Sequence, residues 1–165
     1  SLHWVVFDRD AHSPLRQRLL LYYTGQKRMA RNILQKVVGR YLARDPQCVS
    51  VIHQLKALAE EMRNDLGEGN IEAFSRGVEQ YWRLKRELDP GSTNPAIESL
   101  LSPVNRYLSG KVLPGAGGGG FVFMIARDPA AAARVRLILS QRRPNPLARF
   151  FDFDIDPQGL AVTVL

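Results

Sequence analysis

Five of the six residues from Gly115 to Gly120 are glycine, and short apolar runs flank them on both sides. Glycine inside a helix or strand costs ~0.5–1 kcal/mol per residue relative to alanine, so this stretch has to be a loop. Lys111-Val112-Leu113 leads into it and the apolar run Phe121 to Ala126 leads out. The local plan is therefore strand, glycine loop, strand. A loop this rich in glycine brings bare backbone close to another group and offers several N–H donors to phosphate or sugar oxygens. A flexible hairpin connection is the plainer reading; the entropic cost of so many glycines between buried strands favours a functional one.

Three phosphate-binding patterns can be tested against the loop. Gly115, Gly117 and Gly120 satisfy GxGxxG, but the dinucleotide fingerprint needs a helix directly after the loop, and here a strand follows. Val122 completes the protein-kinase form GxGxxGxV, yet no lysine occurs after Lys111 and neither HRD nor DFG is present. No Gly-Lys-Ser/Thr closes the run, which removes the Walker A reading.

The rest of the chain supplies the context. Residues 1–17 read as a connecting segment, and the domain is expected over 18–165. Leu19 to Tyr23 is a short apolar run suited to a buried strand, ended by Thr24-Gly25. Ala30, Ile33, Leu34, Val37, Val38, Tyr41 and Leu42 keep helical spacing, which predicts an amphipathic helix over 26–43. A second helix carries Ile52, Leu55, Leu58, Met62 and Leu66 and stops at Gly67 to Asn70. A third carries Ile71, Phe74, Val78, Tyr81, Trp82 and Leu88, with Trp82 as a core anchor. Asn94-Pro95 opens a fourth, its inward stripe running from Ile97 to Leu108. Asp128-Pro129 opens a fifth that ends near Arg142, before Pro144 and Pro146.

Residues 149–155 alternate, with Phe151, Phe153 and Ile155 on one side and Asp152 and Asp154 on the other. Asp156 to Gly159 predicts a turn into a last strand at 160–165. The aspartates mimic the start of a calcium loop, but Pro157 stands where that loop needs glycine and Thr163 where it needs glutamate. The expected fold class is α+β: a split βαβ sheet of ferredoxin type, mostly antiparallel, with an inserted set of helices and a C-terminal β-hairpin.

Composition limits the function classes. The 165 residues carry a net charge of +7, which favours anionic partners. Basic residues such as Lys27, Arg28, Arg31 and Arg40 are spread over predicted helix faces, so solvated faces are favoured over a nucleic-acid patch. Cys48 is the sole cysteine and makes no internal disulfide or zinc set. No apolar run reaches the 18 residues of a membrane helix, and no signal-peptide layout opens the chain. A cytoplasmic setting is the expectation.

The stretch from Lys111 to Phe121, KVLPGAGGGGF, resembles the third conserved motif of the GHMP kinases (galactokinase, homoserine, mevalonate and phosphomevalonate kinases), with Pro114 where that family often has Thr or Ser. Leu19 to Leu34 (LLLYYTGQKRMARNIL), Tyr81 to Leu88 (YWRLKREL) and the ending DPQGLAVTVL resemble the L-fucokinase branch, with heptose-phosphate kinases next. The resemblance covers about residues 18–165. It implies the C-terminal domain of an ATP-dependent sugar kinase, L-fucose giving the 1-phosphate being the first choice. Gly115, Ala116, Gly117, Gly118, Gly119 and Gly120 would line the site for ATP and substrate, with Thr24, Gly25 and Lys111 as neighbours.

That family's ATP-cradling loop, PxxxGLGSSA, and its acidic residue lie in an N-terminal domain that this sequence lacks. The expectation is therefore a domain without catalytic or metal-binding residues of its own, inactive alone. ATP and Mg²⁺ would serve the full-length enzyme, with the N-terminal kinase domain of the same chain and a sugar as partners. A heptose-phosphate kinase, or a non-catalytic basic domain binding anions or nucleic acid, is the alternative.

Overall fold

The computed structural model describes residues 13–26, 31–115 and 117–155. Ala116, the turn expected at 156–159 and the strand expected at 160–165 lie outside the described residues. Strand β1 (Leu19–Tyr23) is followed by helices α1 (Arg31–Leu42), α2 (Pro46–Gly67), α3 (Ile71–Leu88) and α4 (Pro95–Leu101). Then come β2 (Leu108–Val112), β3 (Phe121–Ala126), α5 (Pro129–Gln141) and β4 (Arg149–Phe151).

The local chemistry explains most of these boundaries. Three helices open on an Asx-Pro pair, where the side-chain oxygen caps a free N–H and proline occupies the first helical position, in which no N–H is needed. Asp45 accepts from the Cys48 N–H, Asn94 from Ile97 and Asp128 from Ala131. Asn70 caps α3 by accepting from the Ala73 N–H. Between α2 and α3, Gly69 takes the positive φ of 69° that the reversal requires.

The strands form a sheet in the order β2-β3-β1-β4, every neighbouring pair antiparallel. This is the split βαβ order expected from the sequence, and it puts β1 and β3 at the centre. Leu20 and Tyr22 stand opposite Met124 and Val122, and all four are buried. The Tyr22 hydroxyl donates to the Leu139 carbonyl at 3.5 Å, tying α5 to that face. The alternate residues build an aromatic layer on the other face. Tyr23 and Phe151 each lie 5–7 Å from Phe121, at 5.2 Å in both cases, and Phe123 meets Phe153 at 6.2 Å.

Helix α3 lies directly against β2. A Cβ on Gly110 would collide with the Ser75 carbonyl, so only glycine admits this approach, and the register shifts between Leu108 and Gly110. Trp82, fully buried, joins Val78, Ile97, Leu101, Val104 and Leu113 in the main core. Val51, Leu58 and Leu84 form a smaller one between α2 and α3. Buried Arg18 stitches the layers by donating to the Ala126 carbonyl, Ser109 and Glu72.

Several expectations are corrected. The fourth helix ends at Leu101, because Pro103 has no N–H to donate to the preceding turn. Tyr107 falls in a 3-10 turn and Leu108 opens β2. Leu15, assigned to the connecting segment, is buried in the core. Helix α1, expected over 26–43, is described from Arg31 and ends at Leu42. Its stripe faces outward in part: Leu34, Val38, Tyr41 and Leu42 are 51–75% exposed. Burial alternates through Ile155, with Asp152 and Asp154 exposed, but strand pairing stops at Phe151. Among the described residues no helix is long and apolar enough to cross a membrane.

Candidate functional site

Residues 113–120 bridge β2 and β3, and four glycines of the loop occupy the left-handed region: Gly115 (φ 70°), Gly117 (80°), Gly118 (72°) and Gly120 (77°). Side chains are strained there, so the sequence run and the backbone path explain each other. Space is limited too. A Cβ on Gly117 would come within 2.5 Å of the Ser92 carbonyl oxygen, and one on Gly119 within 3.0 Å of the Gln26 carbonyl oxygen.

Two walls hold the loop. On one side stands the corner joining α3 to α4. The Gly118 N–H donates to the Ser92 carbonyl at 2.5 Å, and the Asn94 amide donates to the Gly118 carbonyl at 2.8 Å while capping α4. The Lys85 ammonium, at the end of α3, donates to the carbonyls of Leu113 and Gly115. On the other side lies the end of β1. The Gly120 N–H donates to Gln26 at 2.8 Å, and the Thr24 N–H donates back to Gly120 at 2.8 Å. The buried Thr24 hydroxyl also donates to the Gly120 carbonyl, at 2.9 Å. Asn145 fastens this wall by donating to the Thr24 carbonyl, packed where a Cβ on Gly25 (φ 73°) would stand.

The consequence is an alternation along the loop. Gly118 and Gly120 direct their N–H groups into the protein, whereas Gly117 and Gly119 have no acceptor for theirs among the described residues. Both are buried. Backbone N–H groups at buried positions are normally paired, and an oxygen-rich ligand would satisfy these two. Donors aimed from successive backbone units make a concavity suited to anions.

The sequence-predicted neighbours divide. Thr24 meets the loop, with Gly25 next to it in sequence, and the Thr24 hydroxyl is engaged with Gly120 and the Gln26 N–H. Lys111 turns away: its ammonium pairs with Glu79 at 3.0 Å and 3.2 Å on α3, so its charge is matched by that carboxylate. The lysine that reaches the loop is Lys85, which the sequence reading contained only within YWRLKREL. Burial pulls its pKa down to about 8, while the two carbonyls favour the protonated form. Ser92 and Asn94 were also missed, because nothing in their local pattern announces a contact with a loop 24 or more positions distant, as was Asn145, whose partner Thr24 lies 121 positions away. Among the described residues, no group of three or more His, Cys, Asp or Glu side chains could hold a metal ion.

Comparison with known proteins decides the family. The model described as GHMP kinases C terminal matches residues 55–145, more than half of the chain. The chain belongs to the GHMP kinase C-terminal family. This GHMP domain is 35% identical over 162 residues to the L-fucokinase/L-fucose-1-P guanylyltransferase of Bacteroides fragilis, covering 98% of the chain and 17% of that protein. It is 40% identical over 129 residues to the bifunctional fucokinase/GDP-fucose pyrophosphorylase of Arabidopsis thaliana, covering 78% of the chain and 12% of that protein. The domain thus corresponds to a small part of the curated relatives it resembles. Among solved structures, L. major mevalonate kinase, crystallised with R-mevalonate, superposes with a TM-score of 0.68 at 18% identity, over 80% of this chain and 41% of that one. That likeness establishes the GHMP fold. The α+β class and kinase resemblance read from the glycine motif are both borne out.

Proposed function

We propose that this GHMP domain forms one wall of the phosphoryl-transfer site of an L-fucokinase, which converts L-fucose and ATP to fucose 1-phosphate and ADP. The observation that carries the reading is the pair of buried glycines, Gly117 and Gly119, whose N–H groups find no acceptor among the described residues, in a loop tied at both walls. Fixed donors of this kind stabilise the charge that spreads over phosphoryl oxygens during transfer, without reorganising when the charge appears. The choice of sugar is supported by the two fucokinase relatives, with which most of the chain aligns.

In the proposed step, the acceptor hydroxyl oxygen of the sugar bonds to the γ-phosphorus, the bond to the β–γ bridging oxygen breaks, and the hydroxyl proton passes to a base. ATP supplies the transferable phosphoryl group. The glycine loop, Gly115 to Gly120, receives phosphate oxygens and excludes water from them. Thr24, Gly25 and Asn145 hold its far end in register. Among the described residues no group of three or more His, Cys, Asp or Glu side chains could hold Mg²⁺, and in this reading the metal site and the base are assigned to the remainder of a longer kinase chain. That remainder would also include the N-terminal domain that binds ATP.

The test is a substrate comparison with the intact parent chain. Incubation with ATP and L-fucose should yield fucose 1-phosphate, identified by mass and phosphorus NMR, whereas ATP and a heptose 7-phosphate should give no new phosphorylated product. Turnover of the heptose phosphate with none of fucose would overturn the choice of sugar. Turnover of neither, by a folded chain that binds ATP, would overturn the kinase reading.

A further inference from the structure

The C-terminal turn of α3 presents a lysine to the loop. Lys85 is only 8% exposed, and its ammonium donates to the carbonyls on both sides of Pro114, those of Leu113 and Gly115. The pairing of β2 with β3 ends at Val112, and Pro114 has no N–H to donate. Beyond that point the lysine ties the chain to a different element through its carbonyls. Its own backbone takes part in the same corner: the Ser92 hydroxyl donates to the Lys85 carbonyl at 3.4 Å, and the Ser92 carbonyl accepts from Gly118. Trp82, fully buried one turn earlier, lies 6.0 Å from the ammonium and fixes the position of the helix end.

None of these contacts neutralises the charge. Among the described residues its hydrogen-bond acceptors are carbonyls, and burying an ammonium with no carboxylate partner is expensive. A core position could be filled at lower cost by methionine or leucine. Retaining a lysine here is explained if the loop needs two of its carbonyls pinned at once, which only a multi-donor tip can do.

We propose that Lys85 is a positioning residue for phosphoryl transfer: by clamping the Leu113 and Gly115 carbonyls to α3, it aims the N–H groups of Gly117 and Gly119 at the phosphoryl oxygens. The inference rests on the phosphate-facing reading of the loop. Lys85 itself touches no substrate; it acts through the loop backbone. Removing the clamp should spare nucleotide and sugar binding and weaken the alignment that matters in transfer.

The experiment uses the intact parent kinase carrying Lys85→Met, Lys85→Gln or, as a control, Lys56→Met on the exposed side of α2. Steady-state kinetics are measured with ATP and L-fucose, and backbone hydrogen exchange is followed across 113–120. For Lys85→Met the expected result is a kcat at least tenfold lower, KM values within about threefold of wild type, and loop exchange at least tenfold faster, with Lys56→Met unchanged in all three. Unaltered exchange would show that Lys85 does not hold the loop. A kcat within twofold of wild type despite faster exchange would show that the clamp is irrelevant to transfer, and a raised KM with kcat unchanged would replace alignment by simple binding. Each of these overturns the proposal. Lys85→Gln keeps a polar tip too short to span both carbonyls, and it carries the same readouts if the methionine variant does not fold. If wild type fails to phosphorylate fucose but accepts another sugar, the functional proposal loses its sugar, while the Lys85 proposal is judged with that acceptor.

Discussion

Gly117 shows how one residue serves geometry and chemistry together. Its φ of 80° excludes most side chains, and the Ser92 carbonyl fills the place of a Cβ. Gly117→Ala should therefore displace the loop rather than unfold the domain. In the intact kinase kcat is expected to fall at least tenfold, with unchanged far-ultraviolet circular dichroism; wild-type turnover would make the loop a mere connection. Lys85 offers a thermodynamic check at the same scale. Burial lowers its pKa to about 8 from the ordinary 10.5, so between those values the unfolded chain holds a proton that the folded chain has released. Stability rises with pH wherever the unfolded state binds more protons. The Tm of wild type relative to Lys85→Met should accordingly shift upward from pH 8 to 10, whereas a constant difference would contradict the lowered pKa.

At the level of elements, the starts of α4 and α5 were readable because an Asx-Pro pair acts within one turn. Asn94 exceeds that local role, since its Oδ1 caps α4 and its amide holds the Gly118 carbonyl. Asn94→Ala is expected to cost about 1 kcal/mol from the lost cap and to speed exchange of the loop, measured by urea unfolding and hydrogen exchange on the same sample. Asn94→Asp should retain the cap and lose the loop contact, which separates the two effects. Trp82 anchors α3 under the sheet, and Trp82→Ala should destabilise by ~3–5 kcal/mol in urea titrations. Helix α1 marks the limit of periodicity. Its spacing defines an apolar side, but Leu34, Val38, Tyr41 and Leu42 remain largely exposed, because spacing names a face and not the surface that covers it.

For the molecule as a whole, the sheet order places β1 and β3 together, which brings Thr24 and Gly25 to the end of the glycine loop nearly a hundred residues later. That proximity gives one wall of a site. The isolated 165-residue domain, mixed with ATP and L-fucose, is expected to release no ADP in a coupled assay, while the intact chain does; turnover by the domain alone would contradict the proposed division of the site. The sequence by itself determined the elements, the ferredoxin-type order and the loop, since glycine's freedom, proline's missing donor and helical spacing act over a few residues. It also carried the family resemblance in KVLPGAGGGGF. Only the tertiary structure decided which lysine serves the loop. Lys111 is adjacent in sequence yet pairs with Glu79, and Lys85, nearly thirty residues earlier, reaches the carbonyls of Leu113 and Gly115. Hydrogen bonds depend on where packing places donors in space, and the close approach of α3 to β2 at Gly110 is what places that one.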